Sequence, residues 1–283
     1  MKTSTALVLA GVAALLLSGS GGSVSSRSGP VIPSSSLPEN YSADKLSMLR
    51  RRYDDAGIRA AVERWRDRTF PGVPTTAMIA AGASSMGASE RGGPPDYATG
   101  LWGVEWSRVE RWARDAKTMR ELGRAIPTEA SAFAHDYEAQ AYVSFRSYAA
   151  HLAACVEDIP GELVPRTGTA FQWRLAVASY SSGEGTVSRI VSAASGHIMA
   201  APQPTAWREL ARAVIDAAAA GHREYGGVPI AGKWKAAHTI VRSEQRFQCG
   251  MLLAQHVAPA ELAWYTDGWL APETSRELAR LAG

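Results

Sequence analysis

Cysteine is scarce. The chain of 283 residues holds two, Cys155 and Cys249, which excludes both a disulfide-dense scaffold and a four-cysteine zinc site. Charge of one sign is never concentrated: 30 Lys and Arg are interspersed with 27 Asp and Glu, for a net +3. With no basic block, nucleic acid is not an expected partner. Alternating apolar–polar runs are nearly absent, so a β-sheet architecture is not expected. No segment carries the roughly twenty apolar residues that span a bilayer. The six His residues (135, 151, 197, 222, 238 and 256) show no H-E-x-x-H or Cys/His ligand spacing, so no metal is implied. No G-x-S-x-G elbow offers a serine nucleophile. "GASSMGAS" sets Gly82, Gly87 and Ser89 in P-loop register, but Ala88 stands where the phosphate-binding Lys is required. No nucleotide or other cofactor is expected.

What is present begins at the N-terminus. Lys2, the apolar run Ala6–Leu17 and the small residues "SGSGGS" form a positive, then apolar, then small-residue pattern. That pattern is a secretory signal over residues 1–19. Ser20 occupies the position at which a lipoprotein signal needs its Cys, so no lipid anchor is expected. Residues 20–40, rich in Ser, Gly and Pro, form a tether. The mature protein is expected in the periplasm or outside the cell, with no stable membrane insertion after cleavage. A mildly positive balance suits a polyanionic wall. In an oxidising compartment Cys155 and Cys249 are expected to bridge, closing a long loop worth about 4 kcal/mol in the chain-entropy model. Two buried thiols behaving as small hydrophobes are the other reading.

Residues 41–283 read as one helical unit, with a C-terminal helical extension from about residue 200. Ile58, Ala61, Val62 and Trp65 recur at helical spacing, as do Trp106, Val109 and Ala113. Ala141, Tyr142, Phe145, Ala149 and Leu152 mark a longer helix, and Phe171, Leu175 and Ala178 another. Further helices are expected over 205–220 and 234–256. The fold class is mainly α. Each of the nine Trp, taken singly, is expected in the core before it is expected on a sugar ring.

Two stretches carry chemistry. "LAVASYSSGEGTVSRIV" (175–191) is an apolar helix running into a Gly-rich turn, and "GLWGVE" (100–105) lies upstream. Together they resemble the A-x-Y-N-x-G-x-G-x-V and G-L-[MW]-Q-[IV] motifs of lytic transglycosylases in the lysozyme-like superfamily. Ala178, Tyr180, Gly183, Gly185 and Val187 match the first motif, with Ser181 in place of Asn. Gly100, Leu101, Trp102 and Val104 match the second, with Gly103 in place of Gln. The resemblance covers about residues 60 to 195. It implies a lysozyme-like helical domain in which Gly100, Leu101, Trp102, Tyr180 and Ser181 line a glycan cleft.

It also implies one essential Glu after the helix that precedes "GLWGV". That carboxyl must be protonated near neutral pH to donate to the glycosidic oxygen, so an apolar wall has to raise its pKa. A second carboxylate is not required, unlike the usual paired-acid glycosidase. A nearly gapless comparison puts Met86 at the acid's position, with Glu90 four residues later in "SERGG". Positions four apart share a helix face, so Glu90 is the candidate acid, and Glu105 is the alternative. Glu105 and Glu184 are expected to be structural or solvent-facing. The expected function is cleavage of peptidoglycan glycan strands by a lytic transglycosylase or muramidase mechanism. The alternative is a non-catalytic peptidoglycan-binding or assembly protein that keeps the cleft and has lost its acid.

Overall fold

A computed structural model describes residues 43–82, 100–201, 205–266 and 269–283. The fold is mainly α, and one two-stranded hairpin is the only sheet among the described residues.

Local signals place the first helices. α1 (Ala43–Asp54) and α2 (Ala56–Thr69) are divided by Asp55. Its carboxylate accepts the backbone N–H of Gly57 at 2.8 Å and of Ile58 at 3.0 Å, an N-cap that satisfies two orphan donors. The stripe Ile58, Ala61, Val62 and Trp65 is buried as its spacing requires. Trp65 meets Tyr142 edge-on, with ring centroids 4.7 Å apart.

The next helix is held from far away. α3 (Thr75–Ala81) is buried at every position, and Pro74 at its N-cap has no side chain to cap it. Instead Glu261 accepts the backbone N–H groups of Thr75 at 3.2 Å and Thr76 at 3.1 Å. A carboxylate at a helix N-terminus also suits the helix dipole.

α4 (Trp106–Trp112), α5 (Ala116–Leu122) and α6 (Ala130–Ala134) are short and lead into the long α7 (Tyr137–Glu157). Asp136 begins α7 by accepting the Ala139 N–H at 3.0 Å while pairing both its oxygens with Arg124. Ala141, Tyr142, Phe145, Ala149 and Leu152 are all buried along it. α8 (Thr169–Ser182) is buried from Ala170 to Ser179 on all sides, the mark of a helix inside a core. After α9 (Glu184–Ala193), α10 (Ser195–Ala200) and α11 (Ala206–Ala219) comes a hairpin of β1 (Glu224–Tyr225) and β2 (Val228–Pro229). Gly226 and Gly227 close it at φ +59° and +70°, the backbone that a two-residue I′ turn needs.

The C-terminal third then supplies a central helix. α12 (Ala236–Val257) packs on α3, on α8 and on α14 (Pro272–Ala282), which follows the short α13 (Leu262–Tyr265). The approach to α3 is made at Gly250, where a Cβ would stand 2.4 Å from the Tyr265 hydroxyl and 3.0 Å from the Ala77 Cα. One hydrophobic cluster runs from Met48 to Ala282. Inside it Arg174 of α8 pairs with Glu244 of α12 at 2.9 Å. The guanidinium lies 3.5 Å from the centre of the Phe247 ring. Burial pulls the Arg174 pKa down to about 10 against the pull of Glu244, and pushes that of Glu244 up.

The expected cysteine bridge is absent: Cys155 and Cys249 are buried and form no disulfide with each other. Different helix contacts hold them, Cys155 beside Ser179 and Cys249 toward Tyr265. Both serve as small core residues. Burial pushes the Cys155 thiol up to about 11, which makes it a poor nucleophile.

Candidate functional site

The two motif stretches meet. Gly100 and Gly103 have φ of +75° and +64° and form a tight turn, with the Gly103 N–H donating to the Gly100 carbonyl at 3.2 Å. Glycine is needed at the first position for space as well as for backbone conformation. A Cβ on Gly100 would lie 2.6 Å from the Gln140 side-chain oxygen. That oxygen accepts the Leu101 N–H at 2.8 Å, while the Gln140 amide donates to the carbonyls of Phe133 and Ala134, each at 2.9 Å. Arg52 donates to the Leu101 carbonyl at 3.1 Å and to that of Gly82 at 3.5 Å. The C-terminal end of α3 is thereby fastened to the "GLWGV" turn.

Trp102 is 3 % exposed. Its indole N–H donates to the Met78 carbonyl at 2.8 Å, and its ring stands edge-on to Phe145. It forms the floor beneath the turn and holds α3, Leu101 and α7 in register. Tyr180, half-buried near the end of α8, donates its hydroxyl to the Gly103 carbonyl at 2.7 Å. Its ring packs on Tyr148 at 4.6 Å and on the edge of His151 at 5.5 Å. Burial and the neighbouring Tyr148 push its pKa well up, so it stays a neutral donor. Ser181 donates back to the Val177 carbonyl at 2.8 Å and accepts from Arg246. Gly183, at φ +84°, then turns the chain into α9.

Beside Tyr180 runs a row of hydrogen-bonded polar side chains. Glu105 takes the Arg108 Nε–H at 3.0 Å, Arg108 reaches His151 Nε2 at 2.6 Å, and His151 Nδ1 lies 2.8 Å from Glu184. A guanidinium can only donate, so Nε2 accepts and the imidazole carries its proton on Nδ1, facing Glu184. Burial first, then Arg108, lowers the His151 pKa, with Glu184 opposing them. Glu184 is itself lowered, chiefly by its own backbone N–H at the start of α9 and then by His151. Glu105 is paired with Arg108 and Glu184 accepts a hydrogen bond from the neutral His151, consistent with a structural role.

The candidate acid Glu90 lies outside the described residues, as do Met86, the expected leader at 1–19 and the expected tether at 20–40. Of the remaining expected residues, Gly100, Leu101, Trp102, Tyr180 and Ser181 converge on one place. Gln140, Arg52, Arg108, His151 and Arg246 hold that place together and carried no motif signal; only a polar residue on an otherwise apolar helix face, as at Gln140, hinted at a role. Among the described residues no group of three His, Cys, Asp or Glu is placed to hold a metal ion. No described helix is long and apolar enough to cross a membrane. The chain matches no protein-family model, no curated protein and no solved structure.

Proposed function

We propose that the chain is an exported, lysozyme-like protein that acts on peptidoglycan glycan strands, cutting between amino sugars with Glu90 as its single acid. One observation carries this reading: the Tyr180 hydroxyl on the Gly103 carbonyl at 2.7 Å. It joins the two stretches whose motifs resemble those of lytic transglycosylases, although they lie far apart in the chain. Gly82 and Gly100, which bracket the segment containing Glu90, both border Leu101 at that junction. The chemistry asks that this carboxyl sit in an apolar setting, which raises a carboxyl pKa. Protonated, it donates to the glycosidic oxygen. As a carboxylate it then takes a proton from the sugar's 6-hydroxyl or from water. Neither metal nor cofactor enters the scheme.

A second reading, a non-catalytic wall-binding or assembly protein, draws on a different observation. The Ser181 hydroxyl is used internally by Val177 and Arg246, and both Glu105 and Glu184 are engaged in pairs. The test is turnover of purified sacculi, with products separated by chromatography. Glu90→Gln keeps the side-chain shape and should cost about 100- to 10,000-fold in rate. Glu105→Gln should cost far less. Equal turnover by wild type and Glu90→Gln removes Glu90 as the acid. Sacculus binding by a folded but inactive wild type selects the second reading.

A further inference from the structure

One tryptophan behaves unlike the others. Trp65, Trp102, Trp173 and Trp207 are buried, and Trp106, Trp112, Trp264 and Trp269 pack against the core. Trp234 is 42 % exposed. It is also the one non-glycine residue with positive φ among the described residues, at +63°. A bulky side chain in the left-handed region is strained, and such strain persists only where surrounding contacts impose it. Here the turn is closed by the Lys235 N–H on the Gly232 carbonyl at 3.2 Å, and tied to α14 by the Gly232 N–H on the Leu281 carbonyl at 3.4 Å.

Cations gather around this ring. The Arg242 guanidinium lies 4.6 Å from its centroid and the Lys233 ammonium 5.7 Å, with His238 edge-on at 5.1 Å. Lys235 is exposed beside them. None of Lys233, Lys235 and Arg242 pairs with a carboxylate among the described residues. The charges that bear on His238 are those of Arg242 and Lys233, and the one that bears on Arg242 is Arg246. The cluster is thus an uncompensated positive patch around an exposed aromatic. Along α12, His238, Arg242 and Arg246 follow each other at four-residue spacing, and the buried Arg246 reaches Ser181.

We propose that Lys233, Trp234 and Arg242 form a binding subsite for a carboxylate-bearing glycan, with a sugar ring against Trp234 and its acidic substituent between the two cations. The occupant follows from charge and shape together. An aromatic face takes a sugar ring, and paired cations without acids favour an anion. This subsite rests on the peptidoglycan reading above and adds the part of the strand it holds, the acidic peptide-bearing substituent.

The test is sedimentation of the full mature chain with purified sacculi at low and physiological salt. Three variants are compared with wild type: Trp234→Gly, Lys233→Gln and Arg242→Gln. Glycine suits φ +63°, so Trp234→Gly should keep its melting temperature while losing affinity, which a merely structural tryptophan would not do. Each variant should bind about tenfold more weakly, the scale of one lost charge-assisted or stacking contact. Sacculi whose carboxyls have been amidated should lose wild-type binding to the same degree, and the variants should then differ little from wild type. Undiminished binding of intact sacculi by all three folded variants overturns the subsite and leaves the peptidoglycan reading standing. A wild type that fails to bind sacculi overturns both. Preferential binding of phosphatidylglycerol vesicles, lost in the same variants, overturns the glycan occupant in favour of a membrane surface.

Discussion

Tyr180 and Gly103 are joined by a 2.7 Å hydrogen bond from phenol to backbone carbonyl. The bond ties the last turn of α8 to the "GLWGV" turn. Tyr180→Phe removes it without changing the ring packing on Tyr148 and His151. A loss of about 1 kcal/mol in unfolding free energy is expected, typical of one intramolecular hydrogen bond with an acceptor left behind. Urea denaturation monitored by tryptophan fluorescence measures it. Unchanged stability would mean that the bond does not hold the junction in solution.

Gly250 should tolerate no side chain. The positions of the Tyr265 hydroxyl and the Ala77 Cα leave no room for a Cβ, so α12 and α3 must separate in Gly250→Ala. The better helix propensity of Ala offsets at most about 1 kcal/mol, against an overpacking cost of about 1–3 kcal/mol. A net fall in thermal stability is expected, and a rise would show that the two helices can part freely.

Removing one member of the Arg174–Glu244 pair leaves a charge buried without its main partner. Arg174→Leu is expected to cost about 3–5 kcal/mol, whereas Arg174→Leu with Glu244→Leu should recover most of that loss. A double-mutant cycle in denaturant measures the coupling. Additive losses would argue against the pair as the unit of stability.

Lowered pKa values at His151 and at three carboxylates make stability fall with acid in two stages. His151 has a folded pKa below its ordinary 6.5, so below that pH the unfolded chain binds the proton more readily. Its contribution is complete above about pH 6.5 and is lost as pH falls toward the folded value. Glu184 and Asp136 also have lowered pKa values, and Asp115 is brought down to about 2 by Arg146 and Thr118 against the opposing effect of burial. Their contributions survive this first window and fade only below about pH 4.5. Melting temperatures of wild type and His151→Gln between pH 7.5 and 5.5 test the assignment. The variant should show a flatter profile there, and parallel profiles would remove His151 as the cause.

Most helices were legible because the information lies within a few residues. Ile58 to Trp65 and Ala141 to Leu152 advertise their buried faces by spacing alone, and Asp55 and Asp136 mark helix starts with side chains next to the N–H groups they cap. The expected site was legible in part: the glycines at 100 and 183 declare their turns, and Tyr180 stood out in its motif. What Tyr180 bonds to did not. Nor did the row from Glu105 to Glu184, since each member comes from a different element and none stands at a helical or metal-ligand spacing from the next.

The sequence by itself determined a mainly α chain, the location of its principal helices and the two Gly-rich turns, because periodicity and backbone freedom act locally. Only the tertiary structure decided that Glu261 caps α3, that Arg174 and Glu244 meet in the core and that Cys155 and Cys249 stay apart. It also decided that Trp234, alone among the nine tryptophans, stands exposed amid cations. Each of these depends on which helix faces pack together across many residues of chain, and that is settled by the shape and burial of the whole core, not by any local spacing.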